Sequence, residues 1–595
     1  LLLLFSFSVI AQENKVYHLK LLAVQDNGKT IEGSDADLYL ELKEGSGRVF
    51  LETFPLTKFD TQISTRFAKD IACKQFKLDC NQYDFIFTIK AKSNIVAGPS
   101  AGAAIAALTT IAVLDLNYDQ SVAITGTINS GGLIGPVGGV KEKLEAAAAS
   151  GLKKVLISTG TGRQNVSFNN HNKTLIEYGE NDLGLEVVEV LELNEVIEEI
   201  TGVRLNHQEI IIAENAEYTT IMDQLQQMLC TRSTEIKSEL LTKKVSWNDI
   251  RETVVRNELL AENATAVRDY YSAASYCFSN NILLRTKLYE GRNLTSEELS
   301  FKFSKLEIDT ANLEKEVDAE EIKTISDLQT FMIVKERLSD VKDQIKKYHD
   351  GEQKKEELYG LLGFAEERFF SAYAWKQFFM MTGKEFILDQ SVLENSCIRK
   401  IAESEERLQY ATLFLPNFPF TIDDKIATAQ EALQQKQFSL CLITAAQAKA
   451  EANAILTVLG LTDEIMEDYL QVLNTAVERI IAENSADGVF PILGYSYYQY
   501  SNSLREDEKF TSLLYLEYAL EMSELEIYFP EKKNFLPQKY HIKDEIFIFI
   551  AGFIVGIIAI MMIQENRKHQ LPAKKRKIVH QDVVTIEKLN DSKNN

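Results

Sequence analysis

The sequence predicts an α+β domain followed by a mainly α-helical domain and one transmembrane helix. Three observations carry that prediction. Leu38-Tyr39-Leu40-Glu41-Leu42 and Arg48-Val49-Phe50-Leu51-Glu52 alternate apolar and polar residues at period two, and residues 84–89 form a further strand pattern leading to a glycine-bounded turn. From about Asn206 to Phe529 strand signals nearly vanish, and segments rich in Ala, Leu, Glu, Lys and Gln take over. Residues 546–563 are eighteen uncharged residues in a row, just long enough to cross a bilayer as a helix.

The chain opens Leu1-Leu2-Leu3-Leu4-Phe5 without a methionine. Residues 1–11 combine an apolar stretch with small residues at Val9-Ile10-Ala11, before polar Gln12-Glu13-Asn14. They are read as a truncated secretory signal peptide. Residues 15–202 come next as the α+β domain.

Within that domain Gly98-Pro99-Ser100-Ala101-Gly102 precedes an alanine-rich run, 101–116, that reads as a helix. Ser100 is thereby expected at a helix N-terminus, beside free backbone N–H groups able to hold an oxyanion. A serine hydroxyl needs a neighbouring base to become a nucleophile. Gly138-Gly139-Val140-Lys141-Glu142-Lys143 supplies lysines near the start of a second helix, 141–150. An amine there is a base only when neutral, and both burial and the positive helix end disfavour the ammonium. Lys141 and Lys143 are two residues apart, so they point in different directions and at most one faces Ser100. Between these motifs stands Ile124-Thr125-Gly126-Thr127-Ile128.

This set of motifs resembles the Lon protease family over roughly residues 15–202. Gly98, Pro99, Ser100, Ala101 and Gly102 match the family's nucleophile motif, and the distance to Lys143 matches its spacing. Asp60-Thr61-Gln62-Ile63-Ser64 and the strand Val155-Leu156-Ile157 also fit. The resemblance implies an α+β peptidase with Ser100 as nucleophile, Lys143 as general base and Thr125 contacting the lysine. It implies no cofactor and no metal. Lon peptidase domains commonly form rings, so a homo-oligomer is among the assemblies implied. Two positions depart from the common pattern: Ala97 where many members carry an acid, and Thr127 where many carry glutamate. The first bears on regulation of the dyad; neither removes a catalytic atom.

Other readings of the same residues are weaker. Gly-x-Ser-x-Gly also describes the nucleophile turn of α/β-hydrolases, which needs an acid and a histidine downstream. His171 and His207 are available, but in no recognisable context. The glycines from Gly131 to Gly139 fail as a nucleotide-binding loop because Val140 precedes Lys141. With no such loop anywhere, a peptidase here is expected to work without ATP.

Residues 206–540 are read as the helical domain, built as hairpins or a loose solenoid, with helices at 364–381 and 423–459. The cluster Tyr495, Tyr497, Tyr498 and Tyr500 is read as core rather than as a binding surface. Six cysteines in an exported chain suggest disulfides, and the simplest scheme is sequential: Cys73 with Cys80, Cys230 with Cys277, and Cys397 with Cys441. Asn165, Asn172, Asn263 and Asn293 each begin a glycosylation sequon.

After the span at 546–563 come Arg567, Lys568, Lys574, Lys575, Arg576 and Lys577, in a basic tail of 564–595. Positive residues stay in the cytoplasm, so the tail is expected inside and everything before Glu545 outside. Net charge is −23, and without the tail it is near −27. So acidic an exterior excludes nucleic acid as a natural partner. The expectation is a single-pass cell-membrane protein, resembling archaeal ATP-independent, membrane-anchored Lon-related proteases. Its substrates would be unfolded or extended polypeptides, and its other partner the bilayer. The rival is an inactive Lon-like scaffold whose helical domain binds surface proteins.

Overall fold

The computed structural model describes residues 15–26, 31–57, 59–96, 99–168, 171–205, 211–415, 421–460, 463–532, 550 and 552–563. Strands β1 (Val16–Asp26), β2 (Ile31–Glu44), β3 (Val49–Thr57) and β4 (Tyr83–Val96) form a sheet in the order β1-β2-β4-β3. Helix α1 (Phe59–Gln75) crosses from β3 to β4, so those two strands are parallel while the other pairs are antiparallel. The period-two pattern does what it predicts. Leu19 faces Leu38, Leu38 faces Ile89 and Leu40 faces Phe87, all almost fully buried, while Tyr39 and Glu41 turn outward.

Beyond a 3₁₀ turn at Pro99–Ala101 comes α2 (Gly102–Leu114), buried on every face from Gly102 to Ala112. Its alanines and isoleucines leave no polar stripe, which suits a central helix and no other position. It ends at Asp115, in the left-handed conformation at φ 51°, two residues short of the predicted end.

Strands β5 (Val122–Thr125), β6 (Thr127–Ile128) and β7 (Ile134–Gly135) precede α3 (Val140–Ala149). After them come β8 (Lys154–Ser158), β9 (Asn165–Phe168), β10 (His171–Thr174), α4 (Leu175–Tyr178), β11 (Glu186–Val190) and α5 (Leu193–Thr201). A parallel sheet runs β11-β8-β5, and its two faces alternate. Ile124 and Leu156 join the core around α2, whereas Ala123, Val155 and Ile157 pack with Leu144 and Ala147 of α3. The serine helix and the lysine helix therefore lie on opposite faces of one small sheet.

The helical region comprises α6 (Ala216–Thr242), α7 (Arg251–Ala266), α8 (Tyr270–Arg292), α9 (Ser296–Val317), α10 (Ile325–Asp350) and α11 (Lys355–Trp375). It continues with α12 (Gln390–Phe414), α13 (Ile422–Gln434), α14 (Phe438–Gly460), α15 (Asp463–Ala486), α16 (Ile492–Leu504) and α17 (Lys509–Ser523). Two helix readings are corrected. The run 423–459 is two helices, because Lys436 takes φ 60° and reverses the chain so that α13 packs back on α14. The run 364–381 ends as α-helix at Trp375 and tightens into a 3₁₀ turn.

A loose solenoid is not what forms. One core cluster runs from α6 to α17, and Tyr218 of α6 donates to Gln499 of α16 (3.1 Å). The tyrosine cluster is core: Tyr497 is buried, and Tyr495, Tyr498 and Tyr500 pack against the same cluster. Disulfides join Cys73 to Cys80, Cys230 to Cys277 across α6 and α8, and Cys397 to Cys441 across α12 and α14.

The described residues up to Lys532 belong to one compact unit, and those beyond it to another. In the second, residues 552–563 are helical, with Phe553, Val555, Met561 and Ile563 exposed. Among the described residues no helix is long and apolar enough to cross a membrane. Residues 546–549 and 551 of the predicted span, the leader 1–11, the tail 564–595 and residues 206–210 and 533–540 of the predicted helical domain lie outside the described residues.

Candidate active site

Ser100 sits in the 3₁₀ turn, half-buried, directly before α2. The turn is clamped to the strand end just after β5. The Gly126 N–H donates to the Ser100 carbonyl (3.2 Å), and the Ala103 N–H donates to the Gly126 carbonyl (3.1 Å). The first turns of α1, where Thr61 and Ser64 are buried, pack against the same turn. Gly102 has a steric reason: a Cβ there would stand 3.1 Å from both the Ile128 nitrogen and its Cγ2. Pro99 is buried and Ala101 half-buried; Gly98 and Ala97 lie outside the described residues.

Thr125, the last residue of β5 and wholly buried, neighbours Gly126 in the chain. Its Oγ1 accepts a hydrogen bond from Lys143 Nζ at 3.0 Å. Lys143 reaches it from the first turn of α3, which Gly139 starts at φ 65°, a conformation where a Cβ would also meet Val24 Cγ1 at 2.5 Å. The Lys143 side chain is only 2% exposed. Burial, with no carboxylate beside the amine among the described residues, lowers its pKa to about 7. The helix end acts in the same direction.

Lys141 is a different residue in every respect. Its side chain is one-third exposed, 3.7 Å from Glu145 one turn on, and lies over the Tyr178 ring. The two lysines are separated by burial, and only Lys143 points at Thr125. The structure thus brings Ser100, Thr125 and Lys143 to one strand end through two backbone hydrogen bonds and one side-chain bond. Thr127, on β6, is buried and its hydroxyl finds no partner among the described residues.

Four side chains that sequence reasoning missed hold the turn after β6. Buried Arg407 of α12 donates from Nη2 to the Ile128 carbonyl (2.9 Å). Glu521 of α17 accepts from Ser130 Oγ (3.0 Å), and Glu524 accepts from the Gly131 N–H (2.9 Å). Arg479 of α15 donates to the Gly131 carbonyl (2.7 Å). Nothing in the sequence marks these residues, since they sit among ordinary helix charges hundreds of positions away.

Behind Ser130 lies a closed charge quartet. Lys400 meets Glu403 (3.1 Å) and Glu521 (2.8 Å), and Lys449 meets the same two carboxylates at 3.0 Å each. None of the four side chains is more than 4% exposed. Burial pushes the Glu403 carboxyl up, but Lys400, Lys449 and Arg399 outweigh it and hold the group at about 2. Tyr528 donates a further hydrogen bond to Glu403 (2.8 Å). The quartet is compensated charge for charge, which is what allows it to be dry.

Residues 75–200 match the Lon protease (S16) C-terminal proteolytic domain. Over 105 residues the chain is 38% identical to the archaeal Lon protease of Archaeoglobus fulgidus, covering 18% of this chain and 15% of that protein. It is 35% identical over 120 residues to the archaeal Lon protease of Methanothermobacter thermautotrophicus, covering 20% and 17%. It is 37% identical over 105 residues to Lon protease 2 of Bacillus subtilis, covering 18% and 17%. The chain thus spans less than a fifth of the length of these curated relatives.

Proposed function

We propose, from the premise that residues 75–200 of this chain are a Lon-type serine-endopeptidase domain, that the protein is a membrane-anchored, outward-facing peptidase. It works without ATP on unfolded or extended polypeptide segments, with Ser100 as nucleophile and Lys143 as base. The observation that carries the reading is a buried lysine, with no carboxylate beside it among the described residues and held by Thr125, whose neighbour Gly126 is bonded to the Ser100 turn.

In the proposed reaction neutral Lys143 takes the Ser100 proton as Oγ attacks the scissile carbonyl carbon. The resulting oxyanion is held by backbone N–H groups at the start of α2. The lysine then delivers its proton to the departing amine, leaving an acyl group on Ser100. Water, deprotonated by the same lysine, releases the acid and restores the hydroxyl. Thr125 orients the amine throughout. The packing of α1 against the Ser100 turn supports extended segments as substrates.

The pH profile tests this directly. The protonated amine is inactive, so kcat/KM should rise with pH through about 7 and level off above about 8. Added ATP should leave the plateau unchanged. A profile that is flat from pH 6 to 9, or that keeps rising towards the ordinary lysine value of ~10.4, would remove Lys143 as the base.

Anchoring rests on the uncharged run 546–563, the helical and exposed apolar residues at 552–563, and the basic residues after them. Three disulfides and four sequon asparagines, all exposed, suit the outer side. Protease added to intact cells should therefore digest the chain before Glu545 and spare an epitope placed after Gln564. The opposite pattern would overturn the orientation.

A further inference from the structure

A cavity of about 240 Å³ lies among α6, α8, α10, α11, α16 and α17, away from the Ser100 turn. Arg337 of α10 lines it and is 7% exposed. Its guanidinium makes no hydrogen bond and no ion pair among the described residues, and its Nε is buried without a partner. The neighbouring cation, Arg368, also lines the cavity but is paired: its Nε donates to Asp340 (2.6 Å), and its Nη2 stands 4.0 Å from Glu336. Both nearby carboxylates thus face Arg368, and the donors of Arg337 are left to the cavity.

The walls are aromatic. Tyr271, Tyr500 and Tyr515 surround the space, and Trp375 lies 5.5 Å under the Arg337 guanidinium. Ser279, exposed, marks where the cavity reaches the surface. Burial and the charge of Arg368 lower the Arg337 pKa to about 10, so the group remains a cation at neutral pH. A buried guanidinium without an acceptor is a costly arrangement to retain. Its fork geometry matches a carboxylate, which two parallel N–H···O bonds satisfy. One unengaged cation suits a monoanion better than phosphate, and the rings suit an organic remainder. The volume lies at the small end of ligand pockets.

We propose that this cavity is a binding site for a compact organic carboxylate, held by Arg337 and enclosed by the Tyr271, Tyr500, Tyr515 and Trp375 rings. The carboxylate is either that of a free small acid or the C-terminus of a peptide. The proposal is independent of the peptidase reading, because no residue of the Ser100 site lines the cavity.

The chain has two tryptophans, Trp247 and Trp375, so Trp247→Phe full-length protein reports on Trp375 alone. Isovalerate, isovaleramide, and the tripeptide Ala-Ala-Leu with a free or amidated C-terminus serve as probes. Saturable change of Trp375 fluorescence with isovalerate supports a free-acid source. Change with the free tripeptide only supports a peptide C-terminus. Both amides should be silent. Arg337→Gln should weaken binding by at least about tenfold, with Arg337→Lys intermediate. Should Arg337→Gln fail to unfold cooperatively in urea, Ser279→Phe, at an exposed rim position, decides by blocking access. No saturable change with either acid, an equal response to the amides, full binding by a folded Arg337→Gln protein, or, where that variant does not fold, full binding by Ser279→Phe would overturn the proposal.

Discussion

Ser100→Ala is expected to abolish peptide hydrolysis, lowering kcat by about four orders of magnitude or more, with folding intact. Ala101, not Ser100, is the N-cap residue of α2 and no side chain caps that end, so loss of the hydroxyl should cost no more than about 1 kcal/mol of stability. Lys143→Arg should be as inactive, since a guanidinium cannot give up its proton at working pH. Lys141→Arg should stay within about threefold of wild type, because that side chain reaches Glu145 and solvent rather than Thr125. Turnover of a denatured protein substrate and labelling by a fluorophosphonate probe measure all three variants. An active Ser100→Ala or Lys143→Arg protein would end the Ser/Lys assignment. A dead Lys141→Arg protein with normal folding would place the base on the wrong residue.

The second large effect is on stability. Glu521→Ala removes one carboxylate from the quartet and leaves Lys400 and Lys449 sharing Glu403 alone in a site closed to water. Breaking a buried ion cluster in this way costs about 3–5 kcal/mol. It also frees Ser130 Oγ, so the turn after β6 loses one of its fastenings. Replacing a whole pair, Glu521→Leu with Lys449→Met, should recover most of the loss because charge and volume are both balanced. Urea denaturation monitored by circular dichroism resolves the difference. A Glu521→Ala protein within about 1 kcal/mol of wild type would mean that water reaches the cluster. The pH dependence has a definite sign. Glu403 is held at about 2 in the folded protein against ~4.3 unfolded, so its contribution is complete above the unfolded value. It is lost as pH falls from there towards 2.

The two predictions differ in how visible their residues are in the chain. Ser100, Thr125 and Lys143 stand in short contiguous motifs whose glycines serve the backbone. Gly102 must approach Ile128, and Gly139 must start α3 at positive φ. Such demands are local, so they leave a local trace. The alternation of β2 and the all-apolar surface of α2 are equally local, because the period of burial comes from the geometry of a strand or a helix. Glu521, Lys400 and Lys449 leave no trace. A charged residue on an amphipathic helix looks the same whether it meets water or a buried partner.

By itself, the sequence determined the α+β domain, the helical character of the region after it, and, through its resemblance to the Lon protease family, the expectation of Ser100 as nucleophile and Lys143 as base. Tertiary structure supplied the physical difference between the lysines, since Lys143 is enclosed, which lowers its pKa to about 7, and Lys141 is one-third exposed. It also divided the run 423–459 at Lys436, where φ is positive and the chain reverses so that α13 packs back on α14. And it set Arg407, Arg479, Glu521 and Glu524 against the turn beside the site. The physical reason is common to all three. Burial and partnership depend on which distant segments meet, and residues separated by hundreds of positions carry no mutual signal until the chain has closed around them.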